Sequence, residues 1–310
     1  MPVLRRKALT KVNLEIWLNH IFIQDGFYNN ISVGETDFYG NDLSLMSNST
    51  DDPTFSIPGQ TWQSSFKEWV HESGVSSTEA GYPAPIIASG VWVDGTFYPR
   101  YSHMIGYDPA FAHTIDYRNG RVIFNTPIST SSVVQASFSY KDISVDFADE
   151  FEGENRPLLV ETSLKDNPWQ TGVERYPSYN SRTLPLVLID MRSTESEGYE
   201  LGNGTEILNM RGFLHIWARD NFMKDMIEDA ILERQRSVIL GVNFNTTPFP
   251  LDSVGDKNLS FTSFSEYSNV WSPNFWRRIY LEDMEQITDT PLFNIDRSRI
   301  QFTARVYPNF

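Results

Sequence analysis

Apolar positions change their spacing several times along the chain, and each change marks an element. From Leu184 to Met191 the residues are almost continuously apolar (Leu-Pro-Leu-Val-Leu-Ile-Asp-Met), which predicts a central strand buried on both faces, since a strand with one wet face alternates. Gly212 to Arg219 (Gly-Phe-Leu-His-Ile-Trp-Ala-Arg) is an equally bulky second strand. Between them Ser193 to Gly204 is rich in charge and glycine, so the pair predicts a long protruding hairpin. Asp220 or Asn221 then offers a short side-chain oxygen to cap a helix. In that helix Phe222, Met223, Met226, Ile227, Ala230 and Ile231 form an apolar stripe, with Lys224, Asp225, Glu228, Asp229 and Glu233 largely outside it. Trp276 to Leu281 and Arg299 to Tyr307 read as two further strands, completing a sheet of four or five.

Upstream, Lys7 to Ile23 supports an amphipathic helix ended by Asp25-Gly26, and Phe27 to Met46 is strand-like. Ser47 to Pro58 reads as loop, Trp62 to His71 as a short helix carrying Trp62, Phe66, Trp69 and Val70, and Val75 to Pro85 as a polar linker. Ile86 to Val145 changes character, with β-branched and aromatic runs punctuated by turn pairs. Asp94-Gly95 and Asn119-Gly120 each sit between two such runs, and tight hairpin turns favour these pairs because they need positive φ. Val133 to Tyr140 alternates as a half-exposed strand should. Asp146 to Asn155 is an acidic linker, and Asn167 to Ser181 and Thr246 to Asn274 are long loops without a period.

These elements predict an α+β chain: a mixed sheet packed on one main helix with a long protruding hairpin, plus an all-β, sandwich-like insertion. The expected division is an N-terminal helix and strand region (1–85), the β-rich insertion (86–145), a linker and long loop (146–183), and the sheet-and-helix module (184–310).

Charge narrows the partners. With 25 basic against 40 acidic side chains the formal charge is −15, which opposes a whole-surface affinity for nucleic acid or anionic membrane. Arg5, Arg6, Lys7 and Lys11 concentrate positive charge near the start. The absence of cysteine excludes disulfides, thiolate metal sites and a cysteine nucleophile. No run approaches the ~18 apolar residues of a membrane span and no signal-peptide core is visible, so a cytosolic site of synthesis is expected. Aromatic residues make up 14% of the chain and many lie in turn-rich segments, as interface anchors often do.

Recognisable chemistry is sparse. None of the five histidines (His20, His71, His103, His113, His215) stands at the i, i+4 spacing of a helical zinc site, and His215, inside an apolar strand, reads as a satisfied sheet histidine. Gly202-Asn203-Gly204 is followed by a strand, whereas a dinucleotide fingerprint opens a helix. Neither a phosphate loop nor a G-x-S-x-G elbow occurs. Acidic pairs such as Glu195 with Glu197 and Glu282 with Asp283 are too common here to mark a glycosidase, and Trp62, Trp69, Trp92 or Trp169 could serve as carbohydrate-stacking platforms. No enzyme activity, cofactor or metal is expected.

Two stretches carry a resemblance. His113 to Pro127 (H-T-I-D-Y-R-N-G-R-V-I-F-N-T-P), followed by V-V-Q-A-S-F-S-Y ending at Tyr140, resembles a hairpin common in tailed-bacteriophage virion proteins. Leu186 to Leu240, closed by Ile279 to Asp283 and Arg299 to Tyr307, is similar in element order to phage tail-terminator and tail-completion proteins. That resemblance implies a virion component assembled in the host cytoplasm. It implies a ring with copies of itself, a hexamer, at the neck or tail, next to connector, tail-tube or sheath proteins, with no membrane and no sequence-specific nucleic acid as partners. The long hairpin would reach the adjacent subunit, which makes Glu197, Tyr199, Glu200, Leu201 and Glu206 interface candidates, with Trp169, Tyr176 and Tyr179 from the preceding loop. The alternative is a carbohydrate- or receptor-binding virion module using the β-rich insertion.

Overall fold

The computed structural model describes residues 5–51, 54–100, 109–148, 184–198, 206–258, 261, 275–288 and 296–307. It is a mixed α+β chain dominated by sheet. Helix α1 (Arg6–Gln24) comes first, followed by β1 (Tyr28–Ile31), β2 (Leu45–Ser49) and β3 (Thr61–Gln63). Then come β4 (Gly90–Val93), β5 (Thr96–Pro99), β6 (His113–Asp116), β7 (Arg121–Phe124), β8 (Val134–Gln135), β9 (Phe138–Lys141) and β10 (Ser144–Phe147). The last part holds β11 (Leu186–Gly198), β12 (Glu206–Ala218), α2 (Asn221–Leu232), β13 (Val238–Val242), β14 (Phe275–Thr288) and β15 (Asp296–Tyr307).

These strands build a six-stranded sheet ordered β10-β11-β12-β15-β14-β13, a seven-stranded sheet ordered β5-β4-β8-β2-β3-β7-β6, and a two-stranded β1-β9 ribbon. The six-stranded sheet adds β10 and β13 to the four strands placed from the sequence. β10 lies parallel to β11, pairing Ser144 with Leu186 through to Phe147 with Ile189, while the other pairs of that sheet are antiparallel. Leu186 to Ile189 are fully buried, with Val187 and Ile189 in one core and Leu186 and Leu188 in another on the opposite face. The continuous apolar run is thus a strand covered on both sides. At about 1.5–3 kcal/mol per buried aliphatic side chain, these four residues are a major local contribution.

Both α1 and α2 cover one face of this sheet: Leu14, Leu18, Ile21 and Phe22 of α1 and Ile227, Ala230 and Ile231 of α2 share a core with Met210, Leu214, Ile300 and Phe302. The apolar stripe expected on α2 is rotated. Phe222 is 75% exposed and Met226 also faces solvent, while Lys224 and Glu228 are buried. The polar pair is accommodated by hydrogen bonds, since Lys224 Nζ donates to Asn221 Oδ1 at 2.5 Å and Glu228 Oε2 accepts from Gln286 Nε2 of β14 at 2.5 Å. Spacing alone could not show that β14 supplies a polar partner.

In the seven-stranded sheet, both turn pairs make hairpins. Asp94 and Gly95 have φ of 51° and 80° between β4 and β5, and Gly120 has φ of 62° before β7. A Cβ on Gly120 would lie 1.9 Å from the Phe66 carbonyl oxygen, so close backbone approach also requires glycine there. The sheet recruits β2 and β3 as well, so its strands come from both sides of residue 86. Two expectations are corrected. Trp62 to His71 is not a helix: β3 ends at Gln63, Trp62 and Trp69 are buried in the β core, Trp69 stacks on Phe138 at 4.0 Å, and Glu68 has φ of 52°. Helix-like spacing of the aromatics there reflects what they fill across the sheet. Val133 to Tyr140 is not one strand but β8 and β9, which belong to different sheets; Ala136 N between them donates to Ser44 O at 3.1 Å.

A polar seam joins α1 to the β-rich part. Buried Lys141 Nζ donates to Glu72 Oε1 at 2.5 Å and to Asn19 Oδ1 at 2.9 Å. Burial favours a neutral Glu72, but His71 and Lys141 outweigh it and hold its carboxyl at about 2. Glu15 of α1 goes the other way: burial lifts it from 4.5 to about 7, against the pull of Arg118.

Two outcomes follow from these contacts. Asp220 Oδ1 accepts from Met223 N at 2.8 Å, so it, and not Asn221, is the cap of α2. Asp220→Ala should cost about 1 kcal/mol in urea denaturation and Asp220→Asn, which keeps a capping oxygen, clearly less. Because the folded Glu15 carboxyl titrates above its unfolded value, its contribution is intact below about 4.5 and lost as pH rises through about 7. The stability of Glu15→Gln relative to the unsubstituted chain should therefore increase between pH 5 and pH 8; a difference independent of pH would contradict this.

Candidate subunit interface

β11 and β12 form the hairpin expected from the sequence, and more of it is strand than the polar composition suggests. Their antiparallel ladder runs from Leu186 opposite Trp217 to Gly198 opposite Glu206, with a register shift between Met191 and Ser193. After that shift the environment changes: Arg192 to Gly198 are all exposed. Among the described residues β10 pairs with β11 only as far as Ile189, so the outer edge of β11 beyond it borders no strand. A strand whose side chains are exposed on both faces gains little from its own domain's core, and sheet edges are where other chains pair.

The side chains on this arm are ordered by charge. Glu197 Oε2 lies 3.7 Å from Arg305 Nη2, and Arg305 Nη1 lies 3.6 Å from Glu282 Oε2. At the far end of the described ladder, opposite Gly198, Glu206 Oε2 accepts from Arg6 Nη1 at 2.6 Å, while its carbonyl accepts from Arg277 Nη1 at 3.2 Å. The hydrogen bond from Arg6 holds the exposed Glu206 carboxyl below its usual range. Of the residues the sequence nominated, Glu197 and Glu206 are therefore on the arm, whereas Tyr199, Glu200, Leu201, Trp169, Tyr176 and Tyr179 lie outside the described residues.

The sheet face turned away from the helices alternates arginine with aromatic side chains. Arg192 and Arg299 lie over Phe213 at 5.2 and 5.9 Å, Arg297 over Trp217 at 4.6 Å, and Arg305 over Tyr307 at 5.8 Å. Buried His215 belongs to this face. Its Nε2 is 3.5 Å from Asp190 Oδ2 and its Nδ1 3.4 Å from Arg297 Nη2. Although burial raises it, hydrogen bonds from His215 and Arg192 hold the Asp190 carboxyl at about 2. The histidine is tied into a charged network of the sheet. Guanidinium groups held over rings still present their donors to carboxylates, and arginine and aromatic residues are enriched at protein interfaces.

Sequence reasoning missed a second surface. Between Glu35 and Leu43 the chain makes a tight turn in which Asp37 Oδ1 accepts from Tyr39 N and Asn41 N, both at 2.8 Å, and Asp37 Oδ2 accepts from Asn41 Nδ2 at 2.8 Å. The turn carries Phe38, 96% exposed, and Tyr39, 86% exposed, in edge-to-face contact at 5.5 Å. Asp followed three residues later by Gly was the available signal. An open cleft of about 460 Å³ lies elsewhere, lined by Arg5, Arg6, Lys7, Asn243, Asn245 and Trp276, with Leu9 beneath.

Among the described residues, no group of three or more acidic or histidine side chains is arranged to hold a metal ion, and no helix is long and apolar enough to cross a membrane. The chain matches no known family model, no curated protein and no solved structure.

Exposed ion pairs such as Glu197 with Arg305 and Glu206 with Arg6 are worth at most about 1 kcal/mol to a single chain. Glu197→Ala and Glu206→Ala should thus leave thermal unfolding of the monomer nearly unchanged; a large drop in melting temperature would show that the arm is held by its own domain.

Proposed function

We propose that this chain is a non-enzymatic structural component of a tailed-phage virion, assembling with copies of itself into a ring at the neck or tail. The observation that carries the proposal is the β11–β12 arm: seven successive residues, Arg192 to Gly198, held as strand yet exposed. In this account the six-stranded sheet with α2 as its main helix is the ring protomer, α1 braces the same face, and the arm reaches the next subunit through charged pairs and edge hydrogen bonds. Repeated head-to-tail contacts close when their rotation matches the symmetry. The resemblance of element order to tail-terminator proteins, read from the sequence, is what favours the head-tail junction.

One observation favours a second function, carbohydrate or receptor binding by the β-rich part. Leu45, Gln135, Trp92 and Phe97 are opposite one another across β2, β8, β4 and β5, forming a row on one sheet face in which Leu45 and Phe97 are exposed. Trp62 and Trp69 are buried and are removed from the candidate platforms.

Sedimentation of the purified chain at rising concentration should show a discrete large species, resolved by negative-stain imaging as closed rings. A chain that stays monomeric throughout and binds no tail or connector protein contradicts the proposal. A monomer that binds a glycan array, and loses that binding in Trp92→Ala, would establish the second function instead.

A further inference from the structure

Phe38 and Tyr39 stand almost wholly in water, yet the turn that carries them is closely hydrogen-bonded. Besides the Asp37 side-chain bonds, Gly40 N donates to Asp37 O at 3.0 Å, Asp37 N to Asn41 O at 2.9 Å and Leu43 N to Glu35 O at 2.8 Å. The aromatic pair is thus held on a preformed support and would lose little backbone freedom on binding. Large aromatics presented in this way are typical anchors of protein interfaces.

The charge around the pair selects its partner. Glu35, Asp37 and Asp42 flank it, and hydrogen bonds from Asn41 hold the Asp37 carboxyl below its usual range, so the turn stays anionic. An anionic support opposes insertion among phosphates or acidic lipid headgroups, and it favours a basic site with an aromatic wall. The cleft beside the start of α1 has both features: Arg5, Arg6 and Lys7 supply cations, all exposed, and Trp276 supplies a ring. It also adjoins the arm, because Arg6 both lines the cleft and donates to Glu206, opposite Gly198 at the far end of the described ladder.

We propose that the Phe38–Tyr39 turn of one copy docks into the Arg5/Lys7/Trp276 cleft of a second copy, as a heterologous contact of the assembly beside the arm. The inference rests on self-assembly, the function proposed above. Knob and cleft are different surfaces of the same chain, so each copy uses both and the contact propagates until it closes.

A mixing experiment on the full chain tests this. Phe38→Ala with Tyr39→Ala removes the knob and leaves the Asp37–Asn41 bonds; Arg5→Glu with Lys7→Glu reverses the cleft's charge at exposed positions. Circular dichroism melts of both double variants should overlay that of the unsubstituted chain. Each alone should associate at least about tenfold more weakly in sedimentation, as loss of an interface anchor does. Mixed one to one, they should recover association that neither shows alone, because the knob of the cleft variant and the cleft of the knob variant are both intact. Undiminished assembly of either double variant, or a mixture that stays monomeric while the unsubstituted chain assembles, overturns this contact and leaves self-assembly standing. An unsubstituted chain that never associates removes both.

Discussion

Burial of Leu186 to Ile189 on both faces of β11 is the constraint around which the rest of the chain is arranged. To cover one face, α1 and α2 must both lie on the six-stranded sheet, and to cover the other, Ala148, Leu184 and Trp217 must pack against Leu186 and Leu188. The same four residues pair with β10, which follows β9 after only two residues. A strand that begins at the end of the β-rich segment is thereby locked in parallel against the start of the later module. Sheet pairing and apolar burial act together here, so the two parts of the sequence meet at one strand.

The arm is the counterpart of that constraint. β11 runs from its most buried residues to its most exposed ones within thirteen positions, and the change comes at the register shift after Met191. Before it the strand is held by its own core; after it, by ladder hydrogen bonds and by ion pairs of the exposed kind, which contribute little. Among the described residues no strand pairs with its outer edge there, and Lys7 Nζ donates to the Arg192 carbonyl at 3.3 Å. The assembly proposed here uses that surface, and the adjoining basic cleft and the anionic aromatic turn give it direction.

Much of this was legible in the sequence where one element decides its own burial. The continuous apolar run of β11, the cap at Asp220, the end of α1 near Asp25 and the two positive-φ hairpins all follow from local rules. The failures share a cause, since in each a distant partner outweighed the local pattern. Trp62, Phe66 and Trp69 have helical spacing but are placed by Phe138, Tyr140 and β7. Phe222 and Met226 belong to the apolar stripe on paper, yet Gln286 across the sheet lets Glu228 take the buried side. The interface candidates were legible only in part: Glu197 and Glu206 follow from hairpin polarity, whereas nothing in the composition distinguishes Phe38 and Tyr39 from the other aromatics until the turn places them in solvent.

The central claim is that the strand from Arg192 to Gly198 is kept exposed for a neighbouring copy. Amide hydrogen exchange, compared between monomer and assembled species across that segment, tests it most directly. The account predicts rapid exchange in the monomer and slowed exchange on assembly within this strand, with Leu186 to Ile189 protected in both. Unchanged rapid exchange from Arg192 to Gly198 in an assembled species would contradict it and leave the arm without a structural role.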